Sequence, residues 1–413
     1  MKRRVVVTGF GVVSALGNSA NETWDGLIAG RSGAGPIERF DASEMDVRFA
    51  CECWHFDPLE HMDRKEAKRA DRYAQYAIAA TDMAVQLAGL DNGRLKPDRT
   101  GVIIGSGIGG IWTFEEQCKV FLEKGPRRVS PFFIPMFIPN MAAGLVSIRL
   151  GAKGPNYSTV SACASSAHAI GESFRLIQSG AADMMVTGGA EAAITPLSYS
   201  GFANMKALSV RNDEPEKASR PFDRDRDGFV MGDGSGIVVL EALESALDRG
   251  ATIYGELLGY GMSADGYHMT LPAPGGEGAR RSMEECLKDA ELDPCAVDYV
   301  NAHGTSTPFG DIAETRAVKQ VFGGHAKELV MGSTKSMTGH LLGAAGGLEF
   351  AICLQVMEQG VIPPTINQEN SDPECDLDCA PNTPVEREVK VAISNSFGFG
   401  GHNATLAVRK YES

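Results

Sequence analysis

Three side chains with reactive or proton-donating groups, Cys163, His303 and His340, each lie in a short run of small residues. The runs read Val160-Ser-Ala-Cys163-Ala-Ser-Ser, Asn301-Ala-His303-Gly-Thr-Ser-Thr307 and Lys335-Ser-Met-Thr-Gly-His340. Small neighbours leave a substrate room to reach the sulfur, and glycines beside the histidines allow close backbone approach. One thiol and two imidazoles suit thioester chemistry: a thiolate takes up an acyl group, and two ring N–H donors stabilise negative charge developing on a second thioester. A lone cysteine is most often a small buried hydrophobe. Cys163, however, precedes a helical pattern, where the first-turn N–H groups and helix dipole favour the thiolate. His168, five residues further on within that helix, reads as a packing residue, and His55, His61, His268 and His325 lack a comparable setting.

The elements that must position these groups alternate between strand and helix. Apolar runs at 5–7, 101–104, 183–186 and 236–240 read as buried strands, and 70–88 and 165–178 as helices, the latter with Ala167, Ile170, Phe174 and Ile177 on one face. The alternation indicates an α/β architecture with covered sheets. A weak repeat is visible: 157–163 reads as a strand entering a small-residue turn before a helix that ends at Ser179-Gly180. Likewise 329–335 runs into a glycine turn at His340, before the helix 348–357 that ends at Gln359-Gly360. Two halves, 1–250 and 251–413, would each deliver reactive residues at a strand–helix junction, with 244–253 as the seam.

Composition narrows the function classes. The chain has 413 residues, 43% hydrophobic and 22% charged, enough for two or three units with substantial cores. A net charge of −14 argues against nucleic-acid binding. Basic residues do cluster at Arg64, Lys65, Lys68 and Arg69 and at Lys124, Arg127 and Arg128. Nine irregularly spaced cysteines do not form a disulfide framework and fit a reduced, cytoplasmic chain. Cys51/Cys53 and Cys375/Cys379 are not CxxC pairs, so no metal site is expected. No run approaches the ~18 apolar residues of a membrane span, and the apolar run after Met1-Lys-Arg-Arg is broken by Thr8, Gly9 and Gly11, which reads as a strand entering a glycine turn.

Two motifs mislead. Gly105-Ser-Gly107-Ile-Gly-Gly110 matches GxGxxG after a strand but lacks the acidic residue ending the next strand, so it reads as a tight turn lining a pocket. Asp223-Arg-Asp225-Arg-Asp227-Gly228 opens like a calcium loop, yet Gly234 stands where a bidentate Glu is needed; a salt-bridged loop is expected.

The three reactive segments, with Pro308-Phe-Gly-Asp311, Ser333-Thr-Lys335, Leu341-Leu-Gly-Ala-Ala-Gly346 and Asn395-Ser-Phe397-Gly-Phe399-Gly-Gly401, resemble the β-ketoacyl-acyl carrier protein synthases, most nearly the synthase II type. Supporting stretches are Val7-Thr-Gly-Phe-Gly, Arg220-Pro-Phe-Asp and Asp227-Gly-Phe-Val-Met-Gly-Asp-Gly, and the likeness covers essentially the whole chain. It implies a thiolase-like layered αβαβα fold of two pseudo-symmetric halves with mixed sheets. It also implies a decarboxylating condensation that elongates an acyl chain by two carbons, with no resident cofactor. Cys163 would accept the acyl group from acyl carrier protein, and His303 and His340 would stabilise the enolate of malonyl-carrier protein. Lys335 would be an organiser paired with Glu349, and Phe399 the gate, with the N–H groups of Cys163 and Phe399 forming the oxyanion hole. Ile108 and Phe202 would line the acyl pocket, and Thr305 and Thr307 would contact the phosphopantetheine arm that the carrier brings. Lys65, Lys68, Arg69, Arg127 and Arg128 would dock the acidic carrier protein.

The resemblance further implies a homodimer and leaves room for a structural monovalent cation near Asn301 and Asn395. Two departures stand out: His402 where threonine is common, adding an imidazole near the site, and Leu271 where serine is common. A ketosynthase of a dissociated polyketide system shares the same chemistry. A non-condensing partner subunit would lack the nucleophile that Cys163 provides, and a dehydrogenase would need nicotinamide binding.

Overall fold

The computed structural model describes residues 2–90 and 95–412. Ten strands form the framework: β1 (Val5–Val13), β2 (Thr100–Gly105), β3 (Asn156–Tyr157), β4 (Met184–Glu191), β5 (Gly234–Ala242), β6 (Gly255–Ala264), β7 (Tyr299–Asn301), β8 (Val330–Gly332), β9 (Val391–Gly398) and β10 (His402–Arg409). Seven helices matter here: α1 (Arg72–Leu87), α2 (Ile111–Lys124), α3 (Met141–Leu150), α4 (Ser165–Gln178), α5 (Glu277–Asp289), α6 (Gly310–Phe322) and α7 (Ala345–Gln359).

The strand order is β8-β7-β9-β10-β6-β1-β5-β4-β2-β3. Read outward from the centre, the first half runs β1-β5-β4-β2-β3 and the second β6-β10-β9-β7-β8, the same pattern displaced by five strands. Parallel and antiparallel pairings repeat too: β1/β5 and β6/β10 are antiparallel, β4/β2 and β9/β7 parallel. The halves meet edge to edge through three residue pairs, Val5 to Val7 against Gly255 to Leu257. Helices α4 and α7 pack against each other and touch both halves, forming the middle layer. Helices α1 and α3 cover the outer face of the first half, and α5, with α6 against it, that of the second. The layered, doubled α/β architecture that the resemblance implies is therefore present, with the two halves hydrogen-bonded into one mixed sheet.

Local sequence explains most elements. Ala345 to Met357 of α7 are all buried, as expected of a helix apolar on every side. Gly360, left-handed at φ +67°, ends it. The helix starts three residues before the expected 348, because Ala345, Gly346 and Gly347 fit the crowded approach to β5 and α4. Strand β1 differs from expectation in a similar way. It does not enter a glycine turn after Val7 but continues, with one register shift, to Val13. A Cβ on Gly9 or Gly11 would overlap the carbonyl oxygens of Ala84 and Ala80 on α1, so these glycines allow close helix–sheet packing. The expected strand 157–163 pairs only at Asn156–Tyr157, because the chain must then turn sharply to present Cys163. In the Asp223 loop, Arg220 pairs with Asp223 and Arg226 with Asp372 (3.1 and 2.7 Å), the salt-bridged loop anticipated.

Candidate active site

Each of the three reactive side chains sits on a turn that its neighbours hold in place. Before Cys163, Ala162 adopts φ +50°, a left-handed conformation that costs a non-glycine residue on the order of 1 kcal/mol. Ser165 at the start of α4 fixes it: its Oγ–H donates to the Ala162 carbonyl (2.7 Å) and accepts from Ser161 N–H (2.9 Å). Ser161 Oγ in turn lies 2.6 Å from His168 Nδ1, so His168 does more than pack; it anchors the nucleophile turn. His303 follows β7, and the N–H groups of His303 and Gly304 both donate to Glu314 of α6 at 2.8 Å. His340 follows β8 and Gly339, which is left-handed at φ +68°. The His340 backbone pairs with Val230 and Gly232 (2.7 and 2.9 Å), and Phe229 meets its ring edge-on at 5.4 Å.

These turns bring the three groups together. His340 Nε2 lies 3.0 Å from Cys163 Sγ. The two imidazoles stand nearly perpendicular, centroids 5.3 Å apart, and one donor atom from each of Cys163, His303 and His340 lies within 4.8 Å of the others. Relative exposures of 8%, 9% and 2% leave little water around them. Burial pushes the Cys163 thiol up to about 12, while Lys335 and the N–H groups of Phe399 and Cys163 itself pull the other way. Desolvation thus opposes the thiolate that the helix start favours. Burial, followed by the charge of Lys335, holds both imidazoles well below the ordinary 6.5, so both are neutral at pH 7.

A cavity of about 450 Å³ opens onto these groups. Ile108, Phe202, Thr305, Thr307 and Phe399 all line it, as does Leu271. Ile108 and Phe202 pack against one apolar cluster that includes Leu342 and Phe229. Lys335 and Glu349 stand behind the wall as a fully buried ion pair. Burial raises the Glu349 carboxyl to about 7 against the pull of Lys335. His402 is exposed and packs over Gly400; it does not itself line the cavity, although its neighbours Gly401 and Asn403 do. Lys65, Lys68, Arg69, Arg127 and Arg128 are exposed and away from the cavity lining. The Arg69 guanidinium lies 4.6 Å over the Phe132 ring, which brings the first basic cluster against the segment carrying the second.

Sequence reasoning missed Glu314, Phe397 and Phe229. Glu314 is fully buried and also accepts from Asn395 Nδ2 (3.1 Å), while Phe397 sets its ring 5.8 Å from that of His303. The available signal was an acid among Ala313, Ala317 and Val318 on the buried side of a helix.

A nucleophilic thiol and two neutral imidazoles at the foot of a cavity, on a doubled thiolase-like fold, define a condensing enzyme, and the chain belongs to the β-ketoacyl synthase family. The N-terminal domain of that family matches residues 2–246 and its C-terminal domain residues 254–369. A 3-oxoacyl-acyl-carrier-protein synthase 2 from Synechocystis is 57% identical over 411 residues, covering 100% of this chain and 99% of the relative. One of the same name from Staphylococcus aureus is 52% identical with the same coverage. Among solved structures, one chain from a complex of a type II PKS acyl-carrier protein with its ketosynthase superposes with a TM-score of 0.92 at 34% identity, covering 100% of this chain and 100% of that one.

Proposed function

We propose that this protein is a 3-oxoacyl-acyl carrier protein synthase that elongates fatty acids by two carbons. The observation that carries the reading is the Cys163–His303–His340 group at a cavity lined by apolar Ile108 and Phe202 and by the hydroxyls of Thr305 and Thr307. Identity of 52–57% to relatives named 3-oxoacyl-acyl-carrier-protein synthase 2, against 34% to a chain of the type II polyketide complex, favours the fatty-acid role. The same matches support a division near residue 250, into halves 1–250 and 251–413.

In the first step Cys163 Sγ attacks the thioester carbonyl of acyl-carrier protein. The Cys163 and Phe399 N–H groups, which already face the sulfur, donate to the tetrahedral oxyanion. The C–S bond to the carrier breaks, and the thiol proton leaves on the carrier's pantetheine thiol. In the second step malonyl-carrier protein places its thioester oxygen between the ring N–H donors of His303 and His340. Loss of CO2 leaves an electron pair on the α-carbon, held as the enolate. That carbon attacks the acyl-Cys163 carbonyl; the C–C bond forms, the C–S bond breaks, and the thiolate takes a proton from water. Lys335 acts from behind: its charge adds to burial in keeping both histidines neutral donors, and Glu349 balances it. No resident organic cofactor is needed.

A monovalent cation would fit beside the site. Asn301 presents a buried Oδ1 without a hydrogen-bond partner, and the buried Glu314 carboxylate accepts from the His303 and Gly304 N–H groups that follow Asn301 and from Asn395 Nδ2. Such an ion would offset the Glu314 charge.

The partner that delivers both thioesters is acyl carrier protein. Lys65, Lys68, Arg69, Arg127 and Arg128 form the docking face. Reversing charge at Lys68 and Arg127 is expected to raise KM for acyl-carrier protein about tenfold, leave kcat little changed and flatten the salt dependence. Unchanged KM in a steady-state titration would remove these residues from docking.

We further propose a homodimer in the cytoplasm. Among the described residues, strand β3 ends the sheet with an exposed edge, and Ile148 on the adjoining α3 and Val160 just after β3 are exposed (76% and 59%), an arrangement that a second copy would cover. Sedimentation velocity should give twice the 43.9 kDa chain mass; a monomer at micromolar concentration would refute this. The nine free cysteines fit a reducing compartment.

A further inference from the structure

One buried carboxylate touches both sides of the cavity yet takes no part in the chemistry above. Glu191 is the last residue of β4 and is 0% exposed. Its Oε1 accepts from Ser106 Oγ–H (2.9 Å) and Ile108 N–H (3.2 Å), and its Oε2 from Gly107 N–H (2.6 Å) and Gly343 N–H (3.0 Å). The first three donors lie on the loop after β2, which carries Ile108 into the cavity. The fourth lies on the turn that follows His340, in the other half of the molecule.

A second observation points the same way. A Cβ on Gly107 would stand 2.9 Å from Glu191 Oε2, and one on Gly343 would stand 2.6 Å from it. Both positions must be glycine for the carboxylate to come this close. Between His340 and Gly343 the chain passes through Leu342, which is left-handed at φ +48° and lines the cavity beside Ile108. That conformation is unfavourable for leucine on its own, and the Glu191–Gly343 bond holds it. Ile108, Phe202 and Leu342 then share one apolar cluster, with Phe202 edge-on to Phe229 (5.6 Å) and Phe229 edge-on to His340 (5.4 Å).

We propose that Glu191 is a positioning residue that clasps the Ile108 loop against the turn after His340 and thereby sets the acyl pocket. The inference rests on the condensing role proposed above. Burial raises the Glu191 carboxyl to about 7 while the four donors lower it, as expected for a desolvated acid kept in place by its hydrogen bonds.

The clasp predicts a selective defect. In Glu191→Gln the amide oxygen at the Oε2 position still accepts from Gly107 and Gly343. The amide NH2 at the Oε1 position donates to Ser106 Oγ but opposes the Ile108 N–H. The pocket loop is therefore disturbed while the His340 turn stays. The test is condensation with acyl-carrier proteins from four to sixteen carbons, alongside malonyl-carrier protein decarboxylation, on purified full-length protein whose fold is checked by circular dichroism. For Glu191→Gln, kcat/KM for the long donors should fall about tenfold, the effect of one unsatisfied buried donor, while short donors and decarboxylation stay near wild type. Ser106→Ala, which removes one donor and leaves the charge, should shift the chain-length profile in the same direction by a smaller factor, and it carries the test should the first variant not fold.

A profile of unchanged shape, or equal losses at every chain length and in decarboxylation, would overturn the clasp and leave Glu191 as a structural acid. Wild-type protein that condensed no acyl donor would instead overturn the condensing role itself.

Discussion

Replacing Cys163 with alanine is expected to remove acyl uptake altogether and to lower condensation by roughly 10⁴-fold or more, as loss of a covalent nucleophile does. The magnitude follows from the site. Sγ is the sole nucleophile in the cluster, it faces the N–H groups of Phe399 and Cys163, and His340 Nε2 lies 3.0 Å away. Ser161 and Ser165, the nearest hydroxyls, are engaged in holding the turn, so neither substitutes for sulfur. Stability should barely change, since the side chain is small and its neighbours Ala162 and Ala164 already pack the turn. The check is release of free carrier thiol from acyl-carrier protein. Residual release above about one part in 10³ of wild type would mean that another group carries the acyl chain.

His303→Ala should separate the two half-reactions. Acyl transfer to Cys163 uses the backbone donors and should stay within about tenfold of wild type, whereas malonyl decarboxylation loses one of two donors to the enolate oxygen and should fall about 10²–10³-fold. The 5.3 Å separation of the two rings is what lets both address one oxygen, so His340→Ala should match this loss. Because His340 also touches Sγ, it should slow acyl transfer as well. Equal loss of both half-reactions in His303→Ala would contradict the assignment.

The protonation state gives a pH signature for the same pair. Both imidazoles have pKa values pushed well below 6.5 by burial and by Lys335, so they remain neutral as pH drops through the range where an exposed histidine protonates. Decarboxylation should therefore show no acidic limb near pH 6.5, and a limb there would mean that a charged histidine is needed. Stability runs the other way: below about pH 6.5 the unfolded chain takes up protons on these histidines and the native state does not, so each contributes a loss of stability as pH falls.

How much of this was legible in the sequence depends on the distance over which each cause acts. The segments around Cys163, His303 and His340 carry their own turn chemistry within a few residues, and the strand–turn–helix repeat follows from local apolar patterning. Those features could be read directly. The role of Gly9 and Gly11 could not, because what they contact is α1, about 70 residues away; locally two glycines after an apolar run look like a turn. The burial that opposes the thiolate at the helix N-terminus was hidden for a related reason. The dipole effect is local, while burial depends on how segments from both halves of the chain pack around the sulfur. His168 looked like packing because its partner, Ser161, is seven residues away across the turn. Glu314 and Glu191 were invisible as supports, since a buried acid in an apolar pattern says nothing about which backbone N–H groups it will meet. Lys335 and Glu349, fourteen residues apart, were paired through the resemblance alone, and the buried ion pair is present.

The central claim is that Cys163 carries the growing chain between two carrier-protein encounters. Intact-mass measurement of the wild-type protein, first with a medium-chain acyl-carrier protein and then with malonyl-carrier protein, tests it most directly. The expected result is one acyl adduct, absent from Cys163→Ala, that vanishes on addition of malonyl-carrier protein as a 3-oxoacyl product two carbons longer appears on the carrier. No adduct with any straight-chain donor, or an adduct that forms on Cys163→Ala, would contradict the account.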